Sequence, residues 1–383
     1  MRPVTTFIRY NSIKALLAAE SGAKAVSKGK VGKSLFDVDP KFIGTDVRII
    51  KETNDSTFIA KCDTSGRIVN KPFKILVTTD LHLCDDMELI NKSLNMLAKH
   101  VEAEKPDLIL FTGDVVLTDH QQIDCIQFGR FMEKMGIYWA YVFGNHEARA
   151  EKEYHKYFML KNLTSFPHCL SKFGDPSLFG YGNFFINILS SENSIQQSIV
   201  MLDSGRNTCP NHNISNGAPA DLKGYDFLKN TQIEWYKETI INLESEYGKF
   251  KSIMGMHIAL CEYEKVMKLD ENGKYVSTGD ADIIYGGMYE SVGCSEYNSG
   301  MFKAIKELDN TQAVIVGHDH VNDFCAKYDG VYLVYAQCGG YNTYGLDEKI
   351  DCEEKDWLQG VTMIDVAKDG EINFRQRFNR EYL

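Results

Sequence analysis

From Lys74 onward, short apolar runs alternate with amphipathic stretches, and this alternation confines the chain to a sheet whose strands are joined through helices. "KILVTT" reads as a strand, and "MELINKSLNMLAKHVEAEK" as a helix with Ile90, Leu94, Leu97 and Val101 at helical spacing. "DLILFTGD" is a second, buried strand, "QQIDCIQFGRFMEKMG" a helix ended by Gly136, and "IYWAYVFGNHE" a third strand running into a loop. The order βαβαβ predicts a largely parallel sheet covered by helices. In such sheets, sites collect just beyond the carboxyl ends of the strands.

The later chain is richer in strands: "NFFINILS", "QSIVMLD", "KSIMGMH", "AVIVGH", "VYLVYAQCGG", "GVTMIDV" and "INFRQRF", with helices at about 229–247 and 300–308. Ahead of Lys74, "STFIAKCDTSGRIVNKPFKI" reads as a hairpin turning at Asp63 to Gly66. Residues 1–73 are therefore taken as an N-terminal extension, a basic helix and then a hairpin, and residues 74–383 as the main domain. The segment from Glu262 to Ser299 has no clear period and is expected to be a long surface excursion, of the kind that often serves function.

Composition excludes several classes. With 383 residues, 44% of them hydrophobic, the chain can bury a large core. No stretch approaches the roughly 18–20 apolar residues of a membrane span, and the start lacks the apolar block of a secretory signal, so a cytoplasmic location is expected. The ten cysteines are scattered without a CxxC pair, which suits reduced thiols and excludes a zinc ribbon. A net charge of −11 argues against nucleic acid as a partner. The basic residues Arg2, Arg9, Lys14, Lys24, Lys28, Lys30 and Lys33, against Glu20 alone, admit a targeting presequence. A solvated surface helix over about 12–26 is the preferred reading.

The strand ends carry the chemistry. In "AVIVGHDHVND" an apolar strand breaks at Gly317 and presents His318 and His320, two residues apart and so aimed the same way in an extended chain. "TTDLHL" does the same with Asp80 and His82; "FTGDVV" supplies Asp114, "FGNHEAR" supplies Asn145 and His146, and "MGMHIA" supplies His257. Carboxylate, imidazole and amide oxygen delivered at five strand ends suit a pair of divalent transition metals. Two histidines alone would more often be hydrogen-bonded structural residues; the accompanying set reverses that weighting.

This ordered series, D-x-H, G-D, G-N-H-E, H and G-H-x-H, resembles the calcineurin-like metallophosphoesterase superfamily across Asp80 to His320. The resemblance implies an α/β fold, a four-layer α/β/β/α sandwich of two mixed sheets, with residues 74–383 as the metallophosphoesterase domain. It further implies a dinuclear centre: Asp80, His82, Asp114 and His320 on one metal, Asp114, Asn145, His257 and His318 on the other, with Asp114 shared. His146 would lie beside the metals as proton donor, Asn145, His146, His257 and Tyr341 would meet the substrate, and Tyr344 is a candidate beside Tyr341 for lining the pocket. "NSGMF", "GHDHVND" and "CGGYNTYG" resemble the single-domain branch related to purple acid phosphatases, which implies phosphomonoester hydrolysis. Leu117 stands where a purple acid phosphatase has its tyrosine ligand, and His82 occupies a first block that lacks histidine there. The protein is therefore not expected to be purple.

A phosphate ester repels hydroxide. Two cations (Mn, Fe, Zn or Co) about 3.5–4 Å apart would hold its oxygens and lower the pKa of a bridging water that attacks in line. The departing alkoxide needs a proton, which His146, with an ordinary pKa of about 6.5, is suited to give. Two rivals stand beside this reading: a phosphodiesterase acting on cyclic nucleotides, phospholipid head groups or nucleic acid, and a non-catalytic scaffold. Glu147 reads as structural, opening the helix after "GNHE". Asp319 is expected to point away from the site, with Asn322 and Asp323 bracing its loop. Cys84 reads as a small buried residue before a redox-sensitive thiol.

Overall fold

Two segments ahead of Lys74 already belong to a sheet. β1 (Val47–Glu52) pairs antiparallel with β2 (Ser56–Lys61), whose first five residues are buried. The expected turn at 63–66 forms, closed by the Gly66 N–H on the Asp63 carbonyl, but its second arm makes one bridge, Cys62 to Ile68, before the chain crosses to another sheet. The computed structural model describes residues 36–147, 154–350 and 357–382; the helix expected at 12–26 lies outside them.

The βαβαβ unit folds as anticipated: β3 (Phe73–Thr78), α1 (Met87–Glu104), β4 (Leu108–Phe111), α2 (Gln121–Glu133) and β5 (Tyr138–Tyr141). The Asp86 carboxylate caps α1 by accepting from the N–H groups of Glu88 and Leu89. Helix α3 (Tyr154–Leu163) follows. β6 (Phe184–Ser191) and β7 (Ser194–Met201) form a hairpin, then come α4 (Pro210–Ser215), α5 (Asn230–Tyr247) and β8 (Ser252–Gly255). The excursion from 262 to 299 contains more regular structure than its sequence suggests. β9 (Met267–Leu269) and β10 (Tyr275–Ser277) make a small two-stranded sheet, and β11 (Ala281–Tyr285) is a half-exposed edge strand. α6 (Met301–Leu308), β12 (Thr311–Val316), β13 (Cys325–Tyr328), β14 (Val331–Tyr335), β15 (Gly360–Val366) and β16 (Ile372–Phe378) complete the order.

The strands form two mixed sheets, β16-β15-β3-β4-β5 and β1-β2-β6-β7-β8-β12-β14-β13-β11. β3, β4 and β5 are mutually parallel, as are β7, β8, β12 and β14. Alternation along each strand shows how the layers stack. Ile75, Val77, Leu108 and Leu110 face one cluster, shared with Ile186, Ile199, Ile253, Ala313 and Ile315 of the other sheet. Their neighbours Leu76, Ile109 and Phe111 face Ile90, Leu94, Leu97 and Val101 of α1. On the far side, Val314 and Val316 pack with Ile233 and Ile240 of α5 and Ile305 of α6. This is a four-layer α/β/β/α sandwich. Strands buried on both faces must be apolar throughout, which is why they read as unbroken runs. Parallel strands put their carboxyl ends at one edge, so β3, β4 and β5 from one sheet and β8 and β12 from the other all empty there.

Candidate metal centre

Three of the strands that end at this edge, β3, β4 and β12, are followed at once by residues in the left-handed region: Asp80 (φ 54°), His82 (φ 45°), Asp114 (φ 51°) and His318 (φ 78°). Non-glycine residues rarely adopt this conformation, and where they cluster the surrounding fold is forcing them. The glycines between them admit the close approach. A Cβ on Gly113 would lie 2.6 Å from His257 Nδ1 and 2.8 Å from the Gly144 nitrogen. Backbone bonds then tie the strand ends together, Asp80 N–H to the Gly113 carbonyl (3.1 Å) and Gly317 N–H to the His257 carbonyl (3.1 Å).

The side chains converge in two groups, Asp80 with His82 and His320, and Asp114 with His257 and His318, each with its ligand-type atoms within 4.8 Å of one another. His82 Nε2 is 3.1 Å from His320 Nε2, and these two atoms lie 3.4 and 3.3 Å from Asp80 Oδ1. Asp114 Oδ2 lies between the groups, 3.2 Å from His257 Nε2, 3.8 Å from His82 Nε2 and 3.9 Å from His146 Nε2. Asn145 Oδ1 is 2.9 Å from His257 Nε2. All seven residues expected at a dinuclear centre, and His146, are thus brought to one place.

The set fits cations by its own chemistry. Asp80 Oδ1 is buried without a hydrogen bond of acceptable geometry, since its other oxygen takes the Thr79 hydroxyl (2.8 Å) and the His318 N–H (2.9 Å). His257 Nδ1 lies 2.8 Å from the Thr112 carbonyl, and His320 Nδ1 lies 3.1 Å from the Tyr344 carbonyl. A ring that donates from Nδ1 turns its Nε2 lone pair inward, which is how backbone carbonyls orient metal-binding imidazoles. The carboxylates are held ionised against the tendency of burial to protonate them. His320 and His257 keep Asp80 well below the usual range, and His257 does the same for Asp114. Burial works against charge on His257, yet Asp114 and Asp80 push it up to about 10. His318 goes the other way, to about 3, through burial and the neighbouring His257.

Three buried carboxylates brace the loops. Glu147 accepts from the N–H groups of Asp114 (3.0 Å), Val115 (2.7 Å) and Gly144 (2.6 Å), and from the Tyr141 hydroxyl, so it ties the Asp114 loop to the Asn145 loop. Burial and the nearby Asp114 charge push it up to about 7. Its contacts are structural, as its sequence suggests, and turn back into the loops; the residues over which it was expected to open a helix lie outside the described ones. Asp319 points away from the centre and accepts from the Gly293 N–H (2.9 Å), Asn322 Nδ2 (3.2 Å) and the Tyr335 hydroxyl. Asn322 and Asp323 brace the same loop through the N–H groups of Tyr289 (2.9 Å) and Gly287 (2.8 Å). Cys84 is half-buried and donates to Asn342 Oδ1 (3.0 Å).

Of the two tyrosines in the glycine-rich loop, Tyr344 rather than Tyr341 reaches the cluster. Tyr344 stacks on His320 with ring centroids 4.4 Å apart. Tyr341 packs on the outer helical layer, its ring 4.5 Å from Lys92 Nζ and its hydroxyl accepting from Asn379 Nδ2 (2.8 Å). The two lie three residues apart in a loop with no period, so sequence cannot say which one turns inward. Tyr225, edge-on to His318 at 4.4 Å, carries no sequence signal either; it sits on a segment joined by one bridge, Tyr225 to Asn207.

Comparison with known proteins agrees with this geometry. The family model described as Calcineurin-like phosphoesterase matches residues 73–322. An Arabidopsis thaliana protein named probable inactive purple acid phosphatase 14 is 28% identical over 321 residues, 74% of this chain and 73% of its own. Phosphatase DCR2 of Saccharomyces cerevisiae is 28% identical over 70% of this chain and 48% of its own. A crystal structure of a dimetal phosphatase from Danio rerio shares the fold, with a TM-score of 0.51 at 11% identity, covering 81% of this chain and 97% of that one.

Proposed function

This chain belongs to the calcineurin-like phosphoesterase family, and from that premise we propose that it is a dinuclear metal-dependent phosphomonoesterase with His146 as proton donor. The observation that carries the reading is the position of Asp114 Oδ2 between the two ligand groups, within 3.9 Å of His82, His146 and His257 from three other strand ends. Asp80, His82 and His320 would hold one divalent ion and Asn145, His257 and His318 the other, with Asp114 common to both. When bound, such a pair neutralises phosphate oxygens and makes hydroxide available near neutral pH.

The chain's own residues do the rest. Asp114 Oδ1 accepts from the His146 N–H (2.8 Å), which fixes the backbone that carries the imidazole. Gln121 Nε2 donates to the His146 carbonyl (2.7 Å) and fixes it from the other side. The His146 side chain is one-third exposed at the open face, where a leaving oxygen would depart, and Nε2 can deliver a proton there.

The plant relative is named inactive, and that makes a non-catalytic scaffold the second reading. Against it stands the full donor set, whose cost in buried charge and backbone strain serves no packing purpose. The test is hydrolysis of p-nitrophenyl phosphate against bis-p-nitrophenyl phosphate by Mn²⁺-loaded protein, with His146→Ala as control. Monoester preference supports the phosphomonoesterase, and a loss in the variant that is larger on an alkyl phosphate than on p-nitrophenyl phosphate supports His146 as proton donor; diester preference replaces the proposal with a phosphodiesterase, and no hydrolysis with metal bound leaves the scaffold.

A further inference from the structure

The open side of the centre is flanked by two tyrosine rings and one fixed carboxylate. Tyr225, 36% exposed, stands edge-on to His318, and Tyr344, 39% exposed, lies flat on His320. The Tyr344 hydroxyl donates to Glu290 Oε1 (3.0 Å). Glu290 is held from behind by Asn322, whose Oδ1 accepts its N–H (3.2 Å) and whose Nδ2 donates to its carbonyl (3.3 Å).

A carboxylate fixed at the entrance of a site for phosphate esters opposes the approach of an anion. It becomes an advantage when the other half of the substrate is a cation. Aromatic faces attract cations, and a neighbouring carboxylate adds its charge to theirs. We propose, building on the phosphomonoesterase reading above, that the preferred substrate carries a positively charged nitrogen on its alcohol, as phosphocholine and phosphoethanolamine do. Tyr344 and Glu290 receive the cation while the phosphate meets the histidine and aspartate cluster. Hydrolysis breaks the P–O bond to the amino alcohol: the water oxygen goes to phosphorus, and the alcohol leaves with a proton.

The test compares kcat/KM of Mn²⁺-loaded protein on phosphocholine and on glycerol 3-phosphate, an ester whose alcohol is uncharged, with p-nitrophenyl phosphate as reference. Phosphocholine is expected to be preferred by about tenfold, the scale of a partly desolvated cation–π contact. Glu290→Gln keeps an acceptor for the Tyr344 hydroxyl and removes only the charge. Its ratio is expected to fall toward unity, by loss on phosphocholine and gain on glycerol 3-phosphate. A phosphoserine peptide with an adjacent arginine, if preferred over its glutamine counterpart and over phosphocholine, assigns the cation to a protein side chain. Equal kcat/KM for phosphocholine and glycerol 3-phosphate, with neither peptide favoured, overturns the proposal, as does a preference that Glu290→Gln leaves undiminished. Failure to hydrolyse p-nitrophenyl phosphate as well would overturn the phosphatase reading with it.

Discussion

The Nε2 atoms of His82 and His320 stand 3.1 Å apart across 238 residues of chain, and Asp80 Oδ1 lies within 3.4 Å of both. Two imidazole nitrogens at that distance repel unless a proton or a cation lies between their lone pairs. The same holds at Asp114 Oδ2, where His257 and His82 approach from opposite groups. Asp114→Asn keeps the shape and the acceptor for the His146 N–H but removes the central charge. Bound Mn²⁺, measured by elemental analysis after dialysis, is expected to drop from one ion per ligand group to well below that. Apparent affinity should fall at least about a hundredfold. Wild-type stoichiometry in the variant would remove Asp114 from the centre.

His146→Ala is expected to lower kcat by about 10²–10⁴-fold, the usual worth of a positioned proton donor, with little change in KM. The loss should shrink for an ester whose leaving group needs no proton. Comparing p-nitrophenyl phosphate with an alkyl phosphate therefore separates proton donation from misfolding, which would depress both equally.

Glu147 joins two loops through at least three backbone N–H groups. Glutamine has one acceptor oxygen and would turn an NH₂ group against those donors. Glu147→Gln is expected to weaken Mn²⁺ binding by about 10–100-fold, the range for residues that orient metal ligands. Isothermal titration gives the affinity, and thermal melting of the metal-free protein gives the accompanying loss of stability. Unchanged affinity in a destabilised variant would limit Glu147 to folding alone.

Far from the centre, Glu104 at the end of α1 accepts from Arg375 (3.1 Å), Arg377 (2.8 Å) and the Tyr382 hydroxyl (2.8 Å). Burial works against its charge, but these donors hold it down to about 2 from an ordinary 4.5. A group with a depressed folded pKa stabilises above its unfolded pKa and loses that contribution as the pH falls through the folded value. The contribution is thus full above about pH 4.5 and lost toward pH 2. Urea unfolding across this window should show the decline in wild type and a flatter profile in Glu104→Gln.

Much of the centre was legible in the sequence because strand ends in a parallel sheet are short, local signals. An apolar run that stops at Gly113 or Gly317 and at once presents Asp114 or His318 states both the strand and the residue beyond it. The strands β9, β10, β11 and β13 were not legible. They are three to five residues long and polar on at least one face, and pairing rather than local pattern decides them. β1 and β2 read as part of an extension because nothing local records that β2 runs parallel to β6, more than a hundred residues later.

Residue type and order along the chain therefore determined the parallel βαβαβ unit and which ligand-type side chains stand at its strand ends, since hydrophobic period and ligand type are local properties; the four layers were implied by the family resemblance alone. Only the tertiary structure decided that Asp114 lies between two groups of histidines, that Tyr344 and not Tyr341 stacks on His320, and that Glu147 locks two loops together. Each of those facts is a distance between segments far apart in sequence or a turn within an aperiodic loop. Such distances are set by the packing of whole layers, which no short stretch of sequence records.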